Sequence, residues 1–213
     1  MPSRRPPAAV TLDGNGTLLE LCDPTAGLGR ELAARGERRT STEIRRAFAA
    51  EVAHYVPRAH GGRDVASLAA LRLSSVQVFL DELRAPVPAE EFVPAFLSSI
   101  AFRAAEGAPA ALDRLRGRGL RLACVANWDV TLADHLRAAG LRSRLDVVVS
   151  SAEAGAPKPD PAPFRLALAR LGVAAEDAVH VGDEEADRAG ARAAGLDFAE
   201  PPVATLPARL GLQ

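Results

Sequence analysis

The sequence predicts an α/β fold in which a doubly wound parallel sheet carries a long α-helical insertion. Four short apolar runs, each rich in Val or Leu and followed by a polar or Gly-containing turn, lie at residues 8–12, 120–126, 145–149 and 178–181. Runs of this kind are typical of buried parallel strands. Helical patterns separate the last three runs, and this alternation indicates a sheet covered by helices.

Four helical patterns accompany these strands. The four patterns lie near residues 108–118, 131–140, 161–171 and 186–194. The first of them leads into the second strand. Pro161 suits the first position of its helix, because its missing N–H would be unpaired there in any case. The last three patterns each stop at a glycine, which is the residue preferred just after a helix.

The stretch between the first and second strands is far too long for one crossover connection. Thr40 to Glu43 form a capping-box pattern before an amphipathic segment, and helical periodicity continues from Leu68 to Leu83 and from Glu90 to Ile100. We therefore predict two domains. Residues 1–19 and 105–213 form the α/β core domain, and residues 20–104 form an inserted helical cap domain.

Composition excludes several classes of partner. The 213 residues include 26 basic and 27 acidic side chains, for a net charge of -1, and no basic stripe with interleaved aromatics, so we expect no nucleic-acid partner. No apolar stretch approaches the roughly 18 residues of a membrane span, so we expect no membrane association. The two cysteines form no disulfide or metal pattern, which favours a reducing cytoplasm. We expect a monomer or a homodimer.

The polar residues that follow the predicted strands point to the chemistry. Asp13 follows the first strand, Asn127 the second and Asp183 the fourth, while the loop beyond the third carries Lys158, the only lysine of the chain. Ligands of an open parallel sheet bind beyond the carboxyl ends of its strands, so we expect these side chains to converge. Carboxylates suit Mg²⁺, a lysine neutralises phosphate oxygens, and a carboxylate can attack phosphorus to form an acyl phosphate.

Four segments, in order, resemble the four motifs of the haloacid dehalogenase-like hydrolase superfamily. They are residues 13–18 (DGNGTL), 125–129 (VANWD), 158–161 (KPDP) and 181–187 (VGDEEAD). With the helical insertion, the chain resembles the phosphoglycolate-phosphatase and dehalogenase branch, which carries a helical cap. The resemblance implies a Rossmann-like core and a Mg²⁺-dependent phosphatase that acts through an aspartyl-phosphate on a small phosphorylated metabolite.

The resemblance also implies roles for single residues. Asp13 would be the nucleophile and a Mg²⁺ ligand, and Asn15 would give its backbone carbonyl to the same ion. Thr17 would orient the phosphate-binding turn. Lys158 would tie the nucleophile to the phosphate.

Further positions would complete the metal and substrate sites. Asp183 would ligate Mg²⁺ directly or through water, and Asp187 would support it. Ala126 and the Asn127 backbone would hold phosphate oxygens. Trp128 follows them and either contacts substrate or packs against the helical insertion.

The predicted cap carries a polar, basic segment that contains Arg58 and His60. Caps of this family select the substrate, so these two residues are candidates for contacts with an anionic group. The alternative is a solvated loop between helices. By contrast, His180 lies within a predicted strand and is interpreted as a core residue.

Two departures from the family pattern leave the activity open. Position 15 is Asn where the family phosphatases carry Asp, and position 126 is Ala where Ser or Thr is usual. An amide can neither protonate a leaving alkoxide nor activate water, and such help is typically worth about 10²–10⁴-fold. The alternatives are therefore a catalytically weak or inactive binding protein and a metal-independent 2-haloacid dehalogenase.

Overall fold

The computed structural model describes residues 7–211 and divides the chain into two compact units. The core unit contains the described residues up to Glu20 and from Phe102 onward, and the helical unit is Leu21–Ala101. The interpretation of the helical unit as a cap over the core stays a prediction.

The core unit is built on a parallel sheet. In chain order the strands are β1 (Ala9–Leu12), β2 (Leu19–Leu21), β3 (Phe102–Ala104), β4 (Arg121–Ala126), β5 (Val147–Ser150), β6 (Ala178–Val181) and β7 (Asp197–Ala199). Five of them form a sheet in the order β5-β4-β1-β6-β7, and all of its neighbours are parallel. The predicted doubly wound α/β class is confirmed, and each of the four predicted strands is present.

The helices divide between the two units. The helical unit contains α1 (Thr25–Ala33), α2 (Ser41–Tyr55), α3 (Val65–Leu83) and α4 (Ala89–Ser99). The core unit contains α5 (Ala108–Gly117), α6 (Leu132–Ala138), α7 (Ser151–Ala154), α8 (Ala162–Leu171), α9 (Glu185–Ala194) and α10 (Leu206–Arg209). Among the residues described, no helix has the length and apolar character that crossing a membrane requires.

Successive residues of the buried strands pack into opposite layers of the core unit. Val10 and Leu12 of β1 belong to a cluster that includes Leu112 of α5 and Leu136 of α6. Ala9, on the other face of the same strand, belongs to a second cluster that contains Phe164 and Leu168 of α8. Side chains alternate across a strand, so a central strand with helices on both faces is buried at every position, as all four residues of β1 are.

The helical unit has an apolar core of its own. The rings of Phe79 and Phe92 stack at a centroid distance of 6.0 Å, within a cluster that also contains Phe96. The predicted capping box begins α2, because the Glu43 N–H donates to Thr40 Oγ1 at 3.3 Å and the Thr40 N–H donates to Glu43 Oε2 at 2.8 Å. The periodic segments that follow form α3 and α4.

Strand order determines where the polar turns meet. β1 is central, and its last residue, Leu12, is in register with Cys124 of β4 and Val181 of β6. The turns that follow these three strands therefore leave the sheet side by side at its carboxyl edge. The Asp13 N–H donates to the Val181 carbonyl at 2.8 Å, which extends the pairing to the first residue of the site.

Candidate active site

A buried lysine between two carboxylates forms the centre of the site. Lys158 Nζ donates to Asp13 Oδ1, to Asp187 Oδ1 at 2.5 Å and to the Val125 carbonyl at 3.2 Å. The exposed fraction of the side chain is 3% for Lys158, 9% for Asp13 and 1% for Asp187. Charges withdrawn from water this far must be paired and hydrogen-bonded, and here one ammonium serves two carboxylates.

Burial and pairing act in opposite directions on these three groups. Desolvation raises the pKa of the Asp13 carboxyl to about 7, because it outweighs the opposing effect of the Lys158 ammonium. Burial by itself would lower the pKa of Lys158, but the carboxylates of Asp13 and Asp187 together raise it. A nucleophilic carboxylate must be ionised, so a cation beside Asp13 would favour the reactive form.

Asn127 fixes the backbone of the lysine loop. Its Oδ1 accepts from the Lys158 backbone N–H at 2.7 Å, and its Nδ2 donates to the Lys158 carbonyl at 3.1 Å. The amide therefore holds both main-chain groups of the residue that carries the ammonium. The phosphate contact that the resemblance implies for the Asn127 backbone stays a prediction, and the structure adds a positioning role for its side chain.

Gly16 and Asp183 approach each other more closely than any side chain at position 16 would allow. Gly16 has a φ of +83°, and a Cβ built there would lie 2.3 Å from Asp183 Oδ2. Only glycine combines this left-handed backbone with so close a contact. On the other oxygen, Thr17 Oγ1 lies 3.5 Å from Asp183 Oδ1. The turn after β1 thus brings Asp183 towards Asp13.

Three carboxylates are close enough to share one cation. Asp13, Asp183 and Asp187 each offer an oxygen, and these atoms all lie within 4.8 Å of one another. Asp187 accepts from Lys158 through Oδ1 and from the Glu184 N–H through Oδ2 at 3.2 Å. Its two oxygens already have protein donors, so Asp13 and Asp183 are the better direct ligands. Oxygen donors of this kind fit Mg²⁺.

His180 links the sheet to the site, and the sequence interpretation did not include it there. Its Nε2 lies 3.0 Å from Asp187 Oδ1, and its Nδ1 lies 2.8 Å from Thr11 Oγ1. Burial lowers the pKa of His180, so we assign the neutral ring, with Nε2–H donating to Asp187 and Nδ1 accepting from Thr11. A polar residue in a strand of Ala and Val, seven positions before Asp187, was the available signal.

The two atypical positions differ in exposure. Asn15 is exposed in the turn after Asp13, whereas Ala126 is buried at the end of β4. A Cβ on Gly14 would lie 3.0 Å from the Ala126 Cβ, so the two backbones pass close to each other. Trp128 is also buried, and its ring lies 4.9 Å from Phe102, edge to face. A substrate contact for Trp128 stays a prediction.

The two candidates in the helical unit lie in the 3-10 turn Val56–Gly61. Arg58 is exposed and donates to the His54 carbonyl at 2.8 Å. His60 is partly buried, and its Nδ1 has no hydrogen-bond partner among the described residues. Substrate contacts from these residues stay predictions.

Comparison with curated proteins finds relatives over part of the chain. A haloacid dehalogenase-like hydrolase domain-containing protein 3 from Bos taurus is 43% identical over 113 residues, which is 53% of this chain and 45% of the relative. A phosphoglycolate phosphatase from Cupriavidus necator is 46% identical over 91 residues, which is 42% of this chain and 39% of the relative. The aligned segments thus span less than half of these relatives.

Solved structures match nearly the whole chain in fold. A haloacid dehalogenase-superfamily phosphatase from Thermococcus onnurineus gives a TM-score of 0.62 at 23% identity, covering 96% of this chain and 98% of that one. A 2-haloacid dehalogenase from Pseudomonas syringae gives 0.65 at 24% identity, covering 95% and 97%. At this identity the likeness shows the fold, and both chemistries occur on it.

A family model described as haloacid dehalogenase-like hydrolase matches residues 7–195, which contain every residue of the Asp13–Lys158–Asp187 site. The chain therefore belongs to the haloacid dehalogenase-like hydrolase family.

Proposed function

We propose that this chain is a Mg²⁺-dependent phosphatase that uses Asp13 as its nucleophile. The observation that supports this most directly is the buried Lys158 ammonium between Asp13 and Asp187, with Asp183 close enough to share a cation. Phosphoryl transfer depends mainly on in-line positioning and neutralisation of charge. This cluster supplies a carboxylate nucleophile and positive charge at one point.

The residues have separate tasks in the proposed reaction. Asp13 attacks phosphorus, the bond to the leaving oxygen breaks, and water then releases inorganic phosphate from the aspartyl-phosphate. Lys158 holds Asp13 and neutralises phosphate oxygens, while Asn127 keeps the lysine loop in place. Mg²⁺ held by Asp13 and Asp183, with the Asn15 carbonyl as the expected third ligand, would neutralise the charge on the phosphoryl group.

A small phosphorylated metabolite is the proposed substrate. The phosphoglycolate phosphatase among the relatives favours a small anion, and Arg58 and His60 of the proposed cap are the candidates to contact its other end. Cys22 and Cys124 are both free thiols, in keeping with the proposed cytoplasmic location.

Residues of the site also bear on two alternative functions. A metal-independent 2-haloacid dehalogenase attacks an already anionic substrate and has no need for further carboxylates, so Asp183 and Asp187 argue against it. A weak or inactive binding protein is favoured by Asn15, which cannot act as a general acid or base. The phosphatase proposal therefore needs a test that separates turnover from binding.

A panel of phosphate esters with Mg²⁺ tests the proposal. We expect the natural protein to release phosphate slowly from at least one ester, and Asp13→Asn to release none. Asp113→Asn is the matched control, because it makes the same change at a carboxylate that forms an exposed pair with Arg144. Equal phosphate release by Asp13→Asn would contradict the proposal, and metal-independent chloride release from 2-chloropropionate would identify a dehalogenase.

A further inference from the structure

Position 15, where the family pattern places the acid and base that serve the leaving group and the attacking water, is Asn in this chain. Asn15 is exposed in the turn after Asp13. An amide neither gives up nor accepts a proton near neutral pH, so this position contributes no proton transfer. Another side chain would have to supply it if both halves of the reaction were to run at full rate.

The neighbouring titratable groups are already engaged. Asp187 accepts hydrogen bonds from Lys158, His180 and a backbone N–H, and His180 is fully buried between Asp187 and Thr11. Asp129 is buried, and its Oδ1 accepts from the Thr131 N–H at 2.7 Å and from its hydroxyl at 2.5 Å.

Two acidic residues near the site are more exposed, but each has another role. Asp183 is the proposed cation ligand. Glu184 begins α9 in a reciprocal capping arrangement with Asp187. Each of these titratable side chains in the described part of the core unit therefore has a partner or another role. None of them takes the place of the aspartate that the family pattern has at position 15.

The two halves of the reaction need protons to different degrees. When Asp13 attacks an acyl phosphate, the new O–P bond forms as the P–O bond to the acyl group breaks. The electron pair leaves on a carboxylate, whose conjugate acid has a pKa of about 4, so no proton is required. An alkyl phosphate would release an alkoxide, which does require one. Hydrolysis of the aspartyl-phosphate requires the attacking water to lose a proton as it bonds to phosphorus.

We propose that this chain takes the phosphoryl group from acyl phosphates and retains it on Asp13 as a long-lived phosphoaspartate. The inference rests on the proposed function, because it assumes that Asp13 is the phosphoryl acceptor. Transfer from one acyl phosphate to another is close to balanced in energy, because the P–O bond that breaks and the P–O bond that forms are of the same kind. The missing acid–base step should prolong the phosphoaspartate by about 10²–10⁴-fold relative to a chain with aspartate at position 15.

Intact mass spectrometry after incubation with acetyl phosphate and Mg²⁺ tests this proposal. We expect the natural protein to gain one phosphoryl group that hydroxylamine removes, Asp13→Asn to gain none, and Asp113→Asn to behave like the natural protein. Asn15→Asp should show little adduct and faster phosphate release. The mass before incubation must match the sequence, because deamidation of Asn15 would itself restore an aspartate.

The outcomes separate this proposal from the proposed function. If the natural protein releases phosphate as fast as Asn15→Asp without an adduct, the retained phosphoaspartate is wrong and the phosphatase stands. If the natural protein stays unmodified while Asn15→Asp turns over, the retention proposal is also wrong. If neither protein gains an adduct or releases phosphate from any donor, Asp13 is not a phosphoryl acceptor and both proposals fail.

Discussion

Replacing Lys158 with methionine should destabilise the core unit, and the loss should be larger at alkaline than at acid pH. Methionine keeps most of the length of the side chain but removes the ammonium between Asp13 and Asp187. Both carboxylates are almost fully buried, so neither can recover its hydration. Leaving a buried charge without its partner typically costs about 3–5 kcal/mol, and we expect a loss of that size where both carboxyls are ionised.

The pH dependence follows from the direction of the pKa shifts. Burial raises the pKa of Asp13 to about 7, whereas the pKa of Asp187 is lowered, because the hydrogen bond from His180 and the charge of Lys158 outweigh the effect of burial. Without Lys158 the pKa values of both carboxyls should rise. A carboxyl whose folded-state pKa exceeds its unfolded value favours folding at low pH, and this contribution is lost as pH rises through the folded pKa. The deficit of Lys158→Met should therefore be about 1–2 kcal/mol near pH 5 and should grow to about 3–5 kcal/mol near pH 8.

Urea unfolding followed by tryptophan fluorescence measures this effect. Trp128 is the only tryptophan and is buried in the core unit, so its emission reports on the unit that contains the site. EDTA keeps cations from binding to the carboxylates. Arg137→Met is the control, because its exposed ion pair with Asp134 in the same unit should contribute less than about 1 kcal/mol. An equal deficit for Lys158→Met at both pH values, or none, would refute the reasoning.

Two further substitutions test packing and positioning. Gly190→Ala should lower the free energy of unfolding, measured in urea, by about 1–3 kcal/mol, because its Cβ would lie 2.5 Å from Phe164 Cε2. The control Gly117→Ala meets no atom within 4 Å and should be neutral or stabilising. A stabilising Gly190→Ala would contradict this packing. His180→Gln can still donate to Asp187 from the position of Nε2, whereas the shorter side chain of His180→Asn cannot reach it. The kcat of the glutamine variant should therefore exceed that of the asparagine variant by about tenfold, with similar KM. Equal kcat values would exclude a role for His180 in positioning Asp187.

Positions at strand ends were the part of the site that the sequence could predict. The carboxyl ends of neighbouring parallel strands share one edge, so Asp13 and Asp183 could be expected to lie together before any register was known. The structure brings Asp13, Lys158, Asp183 and Asp187 to that edge. The periodic helices were also predictable, because repeated apolar positions and caps are local properties of the chain.

Contacts that depend on register and side-chain direction were not predictable. The hydrogen bond between His180 and Asp187 requires a buried strand residue and a helix residue to converge, and an interpretation of His180 as core did not reveal its partners. The pairing of Asn127 with the Lys158 backbone depends on the path of a loop. Strand β7 has only three residues, too few to show a period.

The burial of Lys158 gives the chain an unusual chemical property. Every other basic side chain except histidine is arginine, so the sole ε-amine of the protein is enclosed at the site and almost inaccessible to solvent. An amine-reactive reagent can acylate this side chain only when the site opens. The rate of labelling at Lys158 therefore provides a direct measure of how often the site opens, without any other lysine contributing to the signal.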